Sequence, residues 1–260
     1  YGEVYMLGDI VHNESVVDDL AKEGVKVVEK LDQIPSDKPV LFRAHGTAKN
    51  VWQKAEKQKM NIIDATCPLV HEIHHEVKAL HNEGRKIIII GDHGHDEVVG
   101  IASQIPDPIV IASVEEAKAL RKTKKAGIVS QSTQTIENVQ DIINILMTKV
   151  FDLRFVNTIC FPTKRNQEQI KELSEVTDLM IIIGSFTSAN SKRLTELSKE
   201  RNKNTYQVTC AAEIDSTWLS SDVNSVGISA GASTPDWIIE SVIKKVKEIT
   251  NTEEKEIIHE

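Results

Sequence analysis

Cysteine is scarce in this chain: three in 260 residues, at spacings of 93 and 50. An odd, widely spaced set makes no disulfide framework, and without a Cys-x-x-Cys pair neither a zinc ribbon nor a ferredoxin-type loop is indicated. Aromatic residues are only 4%, and the longest apolar runs, such as 87–90 and 179–183, fall far short of the ~20 residues that cross a bilayer. Positive charge is in deficit, with 31 Lys and Arg against 39 Asp and Glu and a net charge of -8. That balance supplies no field for a nucleic-acid backbone, so any phosphate site must be built from local donors. No Gly-x-Gly-x-x-Gly fingerprint of a flavin or nicotinamide domain occurs, so electrons for any redox chemistry would come from outside. No charged and apolar secretory leader is present either, and reduced cytoplasm is the expected compartment. The chain opens at Tyr1 without an initiator Met and runs straight into Val4-Tyr5-Met6-Leu7-Gly8, the end of a strand, as if its beginning were missing.

What is present is an ordinary soluble composition, 40% hydrophobic and 27% charged, arranged in alternating segments. Short β-branched runs at 26–28, 40–42, 61–63, 86–90, 109–111, 126–129, 179–183, 206–208 and 225–228 read as strands. Amphipathic patterns at 70–82, with Gly84 as a stop, and at 115–120, 135–147, 167–174 and 191–203 read as crossover helices. The fold class is α/β with parallel sheets.

An internal repeat divides it. Leu7-Gly8-Asp9-Ile10-Val11-His12, Ile90-Gly91-Asp92-His93-Gly94-His95 and Ile183-Gly184-Ser185-Phe186-Thr187-Ser188 each end a strand in Gly and place a polar side chain four residues later. Cys67 and Cys160 lie 24 residues before Gly91 and Gly184, and the same count from Gly8 places a third Cys upstream of Tyr1. A second strand in each unit ends in a polar loop: Arg43-Ala44-His45-Gly46, Ser130-Gln131-Ser132-Thr133 and Ser229-Ala230-Gly231-Ala232-Ser233. The expected architecture is three similar α/β domains, at 1–66, 67–157 and 158–260, with a charged tail over 250–260. Small parallel sheets would form a pseudo-threefold trefoil around one central site, because ligands bind beyond the carboxyl ends of parallel strands.

One thiolate from each unit suits an iron-sulfur cluster with an iron left for substrate, although zinc on three Cys is chemically possible too. Cys210 has no place in the repeat and reads as structural. His12, His45 and His95, at strand-ending loops, read as donors to one anion, joined by Ser188, Asn190 and Ser233 from the third unit. Glu97, two residues after His95, reads as a proton donor whose pKa a bound phosphate would raise. Asn13, Thr47 and Thr163 are weaker candidates at the same mouths, and His71, His74, His75 and His81 read as a partly exposed helix face. Two further readings stay open: a metal-dependent hydrolase built on His93, His95 and Asp96, and a non-catalytic phosphometabolite sensor.

The series Ile10-Val11-His12-Asn13, Phe42-Arg43-Ala44-His45-Gly46, Asp64-Ala65-Thr66-Cys67-Pro68, Gly94-His95-Asp96-Glu97, Cys160 with Thr163 and Asn166-Gln167, Gly184 to Ser191, and Ala230 to Asp236 resembles the LytB-type 4-hydroxy-3-methylbut-2-enyl diphosphate reductases of the non-mevalonate isoprenoid pathway. The motifs fall in order across nearly the whole chain. The resemblance implies a 4Fe-4S cluster held by Cys67, Cys160 and a first Cys from a Gly-Phe-Cys-Ala-Gly segment that this chain does not contain. It implies diphosphate binding by His12, His45, His95, Ser188, Asn190 and Ser233, and proton donation by Glu97. Ser132-Thr133 matches a Thr-Thr pair, so either hydroxyl could meet the substrate. Ala189 stands where many relatives carry a second Ser, leaving its backbone N–H. The implied reaction is a two-electron reductive dehydroxylation giving isopentenyl and dimethylallyl diphosphates, with flavodoxin or ferredoxin as electron donor.

Overall fold

A computed structural model describes residues 3–250. Residues 1–2 and the charged stretch 251–260 lie outside the described residues. The chain divides into two compact units, Tyr1–Val11 with Val17–Cys160, and His12–Val16 with Phe161–Glu260.

The first unit holds two sheets. Its first part runs β1 (Val4–Leu7), α1 (Glu14–Lys22), β2 (Val25–Val28), β3 (Val40–Phe42), α2 (Lys49–Lys57) and β4 (Ile62–Asp64). Then come α3 (Pro68–Asn82), β5 (Lys86–Ile90), α4 (Asp96–Ala102), β6 (Ile109–Ile111), α5 (Val114–Ala119), β7 (Thr123–Ser130), α6 (Ile136–Met147) and β8 (Val150–Phe155). The strand orders are β2-β1-β3-β4 and β6-β5-β7-β8, parallel throughout. The second unit contains α7 (Phe161–Val176), β9 (Leu179–Ile183), α8 (Ala189–Arg201), β10 (Thr205–Val208), β11 (Val226–Ala230) and α9 (Asp236–Thr250), in a parallel sheet ordered β10-β9-β11. All three sheets therefore repeat one order, with the first strand of each set between the next two.

The middle strands β5 and β9 are nearly unbroken runs of Ile because helices cover both faces of their sheets. Successive side chains alternate faces. Ile88, Ile90 and Ile128 pack with Ile142 and Leu146 of α6, whereas Ile87, Ile89 and Val129 pack with Val77 and Leu80 of α3 and Ile101 of α4. In the second unit Ile181 and Ile183 pack with Val242 of α9, and Met180 and Ile182 with Ile170 of α7 and Leu194 of α8. The smaller first sheet is filled by Tyr5, Leu7, Val40 and Phe42, with Trp52 edge-on to Phe42 at 4.8 Å.

Edges differ from the sequence reading. β8 went unread although Phe151, Leu153 and Phe155 alternate with Asp152 and Arg154; Leu153 and Phe155 pack against the core while Phe151, at the start of that row, is 91% exposed. α7 begins at Phe161, six residues ahead of the expected 167, since its first turn is largely polar. No helix among the described residues is long and apolar enough to cross a membrane.

Candidate active site

In the first unit the loop leaving β5 is forced into a tight path. A Cβ on Gly91 would lie 2.6 Å from Cγ2 of Val98 and 3.1 Å from Oε1 of Gln131, so a larger residue would collide with α4 or with the β7 loop. Four residues later His95 caps α4, its Nδ1 accepting from the backbone N–H of Glu97 at 3.2 Å. A ring nitrogen that accepts carries no proton, so in the neutral ring the proton sits on Nε2, where it can be donated to an anion. Glu97 lies in the first helical turn and is 1% exposed. The N–H of Ser132 donates to its Oε1 at 2.6 Å and the Ser132 hydroxyl to its Oε2 at 2.7 Å. One residue thus fixes both carboxyl oxygens.

The neighbouring hydroxyl has a separate anchor. Gln131 donates from Nε2 to Oγ1 of Thr133 at 2.9 Å and accepts the N–H of Asp92 at 3.0 Å, while Gln134 donates to Oδ1 of Asp92 at 3.3 Å. Gln131 and Gln134 are buried, and the sequence reading passed over both. Their signal was available: an uninterrupted polar run from Ser130 to Gln134 directly after a wholly buried strand end.

His45, after β3, sets its ring 5.6 Å from that of His95 at 90°. Arg43, two residues earlier, forms an ion pair with Asp96 of α4 and donates from Nε to the carbonyl of Leu7 at 3.3 Å, so the β3 loop is tied to α4. A third histidine closes this corner, and it corrects the expectation of a partly exposed helix face. His71 and His75 are exposed and His71 bonds Asp64 at 3.0 Å, but His74 is only 8% exposed. Its ring fills the space beside Gly46 and Gly100, where added Cβ atoms would lie 3.2 and 3.5 Å from it. Burial first, then the charges of His71 and Lys78, lowers its pKa to about 4, and its Nε2 has no hydrogen-bond partner. Polar spacing at 71, 74, 75 and 81 conceals this, because neutral imidazole packs like a flat apolar ring.

The hydrolase triad does not assemble. His93 is exposed and bonds Glu116 of α5 at 2.8 Å, while Asp96 is taken by Arg43. The reason is the tight turn itself, which sends residues 93 and 95 to different neighbours.

Cys67 and Cys160 are half-buried, unbridged thiols at the two places expected to start helices. The N–H of Cys67 donates to the carbonyl of Ala44, beside His45, at 2.9 Å, and that of Cys160 to the carbonyl of Ser132 at 3.0 Å. Both sulfur-bearing turns are thus pinned to strand-ending loops, one carrying His45 and the other the Ser132 that holds Glu97. Thr47 is buried in this unit, while Cys210 sits half-buried ahead of a short 3-10 turn in the other.

The second unit repeats the turn. A Cβ on Gly184 would collide with the Ser191 side chain, and four residues on Ser188 caps α8, its Oγ accepting the N–H of Ser191 at 3.3 Å. Asn190 is 7% exposed and its Nδ2 has no hydrogen-bond partner, a buried donor pair in the first turn of a helix. Such a site suits an anion, because amide donors and the helix dipole point at it. Ala189 is half-buried beside it and Thr163 is buried in α7. His12 precedes Asn13, whose Oδ1 accepts from Ser15 and Val16 at 3.1 and 3.4 Å and whose Nδ2 donates to the Ser233 carbonyl at 2.9 Å. Glu14 accepts from the hydroxyls of Ser185 and Thr187 at 2.8 and 3.2 Å. Burial raises the Glu14 pKa, but its own amide and these hydroxyls outweigh that and hold it below the usual range.

The family model described as LytB protein matches residues 1–247. A 4-hydroxy-3-methylbut-2-enyl diphosphate reductase of Geobacter sulfurreducens is 39% identical over 251 residues, 96% of this chain and 88% of that protein. One from a Thermoanaerobacter species is 38% identical, covering 94% of this chain and 86% of its own length. Among solved structures, the E-1-hydroxy-2-methyl-but-2-enyl-4-diphosphate reductase of Plasmodium falciparum matches 95% of this chain and 78% of its own at a TM-score of 0.89 and 29% identity. A second, an (E)-4-hydroxy-3-methyl-but-2-enyl diphosphate reductase titled the terminal enzyme of the non-mevalonate pathway, matches 95% of this chain and 89% of its own at a TM-score of 0.68 and 37% identity. With a strand-Gly-cap turn built twice and a matched family model over nearly its whole length, the chain belongs to the LytB family.

Proposed function

We propose that this chain is an oxidoreductase that converts 4-hydroxy-3-methylbut-2-enyl diphosphate to isopentenyl and dimethylallyl diphosphates by two-electron reductive dehydroxylation. The observation that carries this reading is the buried Glu97 carboxyl, clasped at both oxygens by Ser132, in the same turn as the helix-capping His95. A buried carboxyl beside a ring donor can hold a proton next to a bound anion, which a plain binding module does not need.

Cys67 and Cys160 fit a 4Fe-4S cluster by donor chemistry, since both are unbridged, half-buried thiols at helix starts. When bound, such a cluster supplies electrons in single steps and a Lewis-acidic iron. The protein's own residues do the rest. His45 and His95 donate to the diphosphate, as do His12, Ser188, Asn190, Ser233 and the Ala189 N–H. Glu97 delivers a proton from a carboxyl oxygen to the departing hydroxyl, which leaves as water, while Ser132 fixes the carboxyl's orientation, and the second proton, to carbon, comes from the substrate's own diphosphate. Gln131 donates to the Thr133 oxygen and so orients that hydroxyl beside the site. Electrons come from a one-electron carrier protein of the flavodoxin or ferredoxin kind. We also propose the three-domain division at 1–66, 67–157 and 158–260, in which each strand-ending loop set serves one site, and a cytoplasmic setting.

Full-length protein, with the first Cys of the family motif present, should carry about four iron and four acid-labile sulfide per chain when purified without oxygen and consume substrate with a reduced viologen. Cys67→Ser or Cys160→Ser should lower the iron content, and Glu97→Gln should keep iron and substrate binding while losing turnover. Zinc in place of iron, or full turnover by Glu97→Gln, overturns the reading.

A further inference from the structure

At the amino-terminal edge of the second sheet, where β5, β6, β7 and β8 begin, a cavity of about 580 Å³ opens between α5 and α6. The loops carrying His95 and Ser132 leave the opposite, carboxyl-terminal edge of the same sheet. The floor is apolar, formed by Ile88, Leu146 and Val150 of the core together with Ile109 and Leu120. The rim carries four cations, Lys86, Arg121, Lys122 and Lys149, and no acidic residue lines the space. Lys86 donates to the Asp107 carbonyl at 2.7 Å, and Lys149 to the carbonyls of Lys118 and Leu120. Among the described residues none of the four has a carboxylate partner, in a chain whose carboxylates outnumber its cations by 39 to 31.

We propose that this cavity is a second binding site, for an amphipathic anion: an aliphatic tail on the apolar floor and a carboxylate or phosphate head at the cationic rim. Each part answers a separate energetic need. A tail entering the cavity removes its own apolar surface from water, and that of the half-buried Ile109 and Leu120, at ~25 cal/mol per Å². A head group meeting unneutralised ammonium and guanidinium groups gains charge-assisted hydrogen bonds without first breaking an ion pair. The volume is in the usual range for small-molecule sites, which are mostly apolar with a few polar anchors. A free inorganic anion would leave the floor bare, and an uncharged tail would leave the rim unanswered.

The test is calorimetric titration of the purified protein with decanoate, decyl phosphate, inorganic phosphate and 1-decanol. It is repeated on the Arg121→Glu/Lys122→Glu double variant, whose two positions are exposed. The expected result is saturable binding of at least one tailed anion, roughly tenfold or more tighter than phosphate or decanol and weakened about as much by the double reversal. Preference for decanoate assigns a fatty carboxylate, and preference for decyl phosphate a phosphorylated lipid or isoprenoid. Ala119→Phe, on the rim, should weaken both tailed ligands by closing the entrance. The proposal is overturned by no saturable binding of either tailed anion into the millimolar range, by equal binding to native and charge-reversed protein, or by inorganic phosphate binding as tightly as decyl phosphate.

Discussion

The turn from β5 to α4 and the turn from β9 to α8 share one plan with different donors. Each begins with a glycine that has no room for a Cβ, and each places a helix cap four residues later. In both, the cap accepts a backbone N–H from the first helical turn, His95 through Nδ1 and Ser188 through Oγ. The capping atom is the acceptor in each, so the cap's own proton, on Nε2 or on the hydroxyl, is not the one that makes the cap. The same local structure therefore yields an imidazole donor in one turn and a hydroxyl donor in the other. The second residue of each helix separates the turns further: a buried carboxyl, Glu97, against a buried amide, Asn190, with an unpartnered Nδ2. In the proposed function one turn moves a proton, whereas the other holds an anion.

Breaking that asymmetry at its stronger end should have the largest effect. Glu97→Gln keeps the shape and, through its amide oxygen, the Ser132 N–H contact, with the Ser132 hydroxyl turned to accept from the amide; it removes the titrating proton, so kcat should fall by roughly 10²–10⁴ with KM changed a few-fold at most. Steady-state kinetics with a chemical reductant decides it. The matching change in the second turn, Asn190→Ala, should do the reverse. It removes a donor to the ground-state anion, so KM should rise about tenfold, the value of one charge-assisted hydrogen bond, with kcat nearly unchanged. Should both variants lose kcat alone, the division of labour is wrong.

Behind the first turn, His74 has no equivalent among the described residues of the second unit, and its signature is pH. Burial lowers its pKa from 6.5 to about 4, so the unfolded chain binds the extra proton first. Stability from this group is complete above pH 6.5 and is lost as pH falls toward 4, a span worth about 3 kcal/mol, of which about 2 kcal/mol is gone by pH 5. His74→Gln, which cannot titrate, should show a flatter dependence of the urea midpoint between pH 7 and 5 than the native chain. An unchanged slope would show that His74 is charged or exposed in solution.

Much of this was legible in the residues because the same pattern was written repeatedly. The Ile runs of β5 and β9, each ended by Gly, place the sheets, and the count of four to His95 and Ser188 places the caps. Partners that arrive from distant segments were not legible. Nothing near residue 97 announces that Ser132 will hold it, and nothing near 74 announces that Gly46 and Gly100 will leave a slot for a ring. A Gln such as Gln131 reads as loop chemistry until burial turns it into an anchor for Thr133. β8 is a different case: Phe151, Leu153 and Phe155 do alternate with Asp152 and Arg154, but the strand is an edge with a single fully buried residue, and its period is short and broken by charge.

The smallest effect separates the two duties of a cap. Ser188 holds the N–H of Ser191 and, in the proposed function, also donates its hydroxyl to the diphosphate. Ser188→Ala removes both, and should cost about 1 kcal/mol of stability together with substrate affinity. Ser188→Gly also removes the hydroxyl, yet glycine is tolerated at a helix cap at a cost of only a few tenths of a kcal/mol. The two variants should therefore show the same rise in KM and different unfolding midpoints. If affinity instead tracks stability, falling for Ala and staying native for Gly, then Ser188 acts through the helix alone and the outward hydroxyl contributes nothing to the anion.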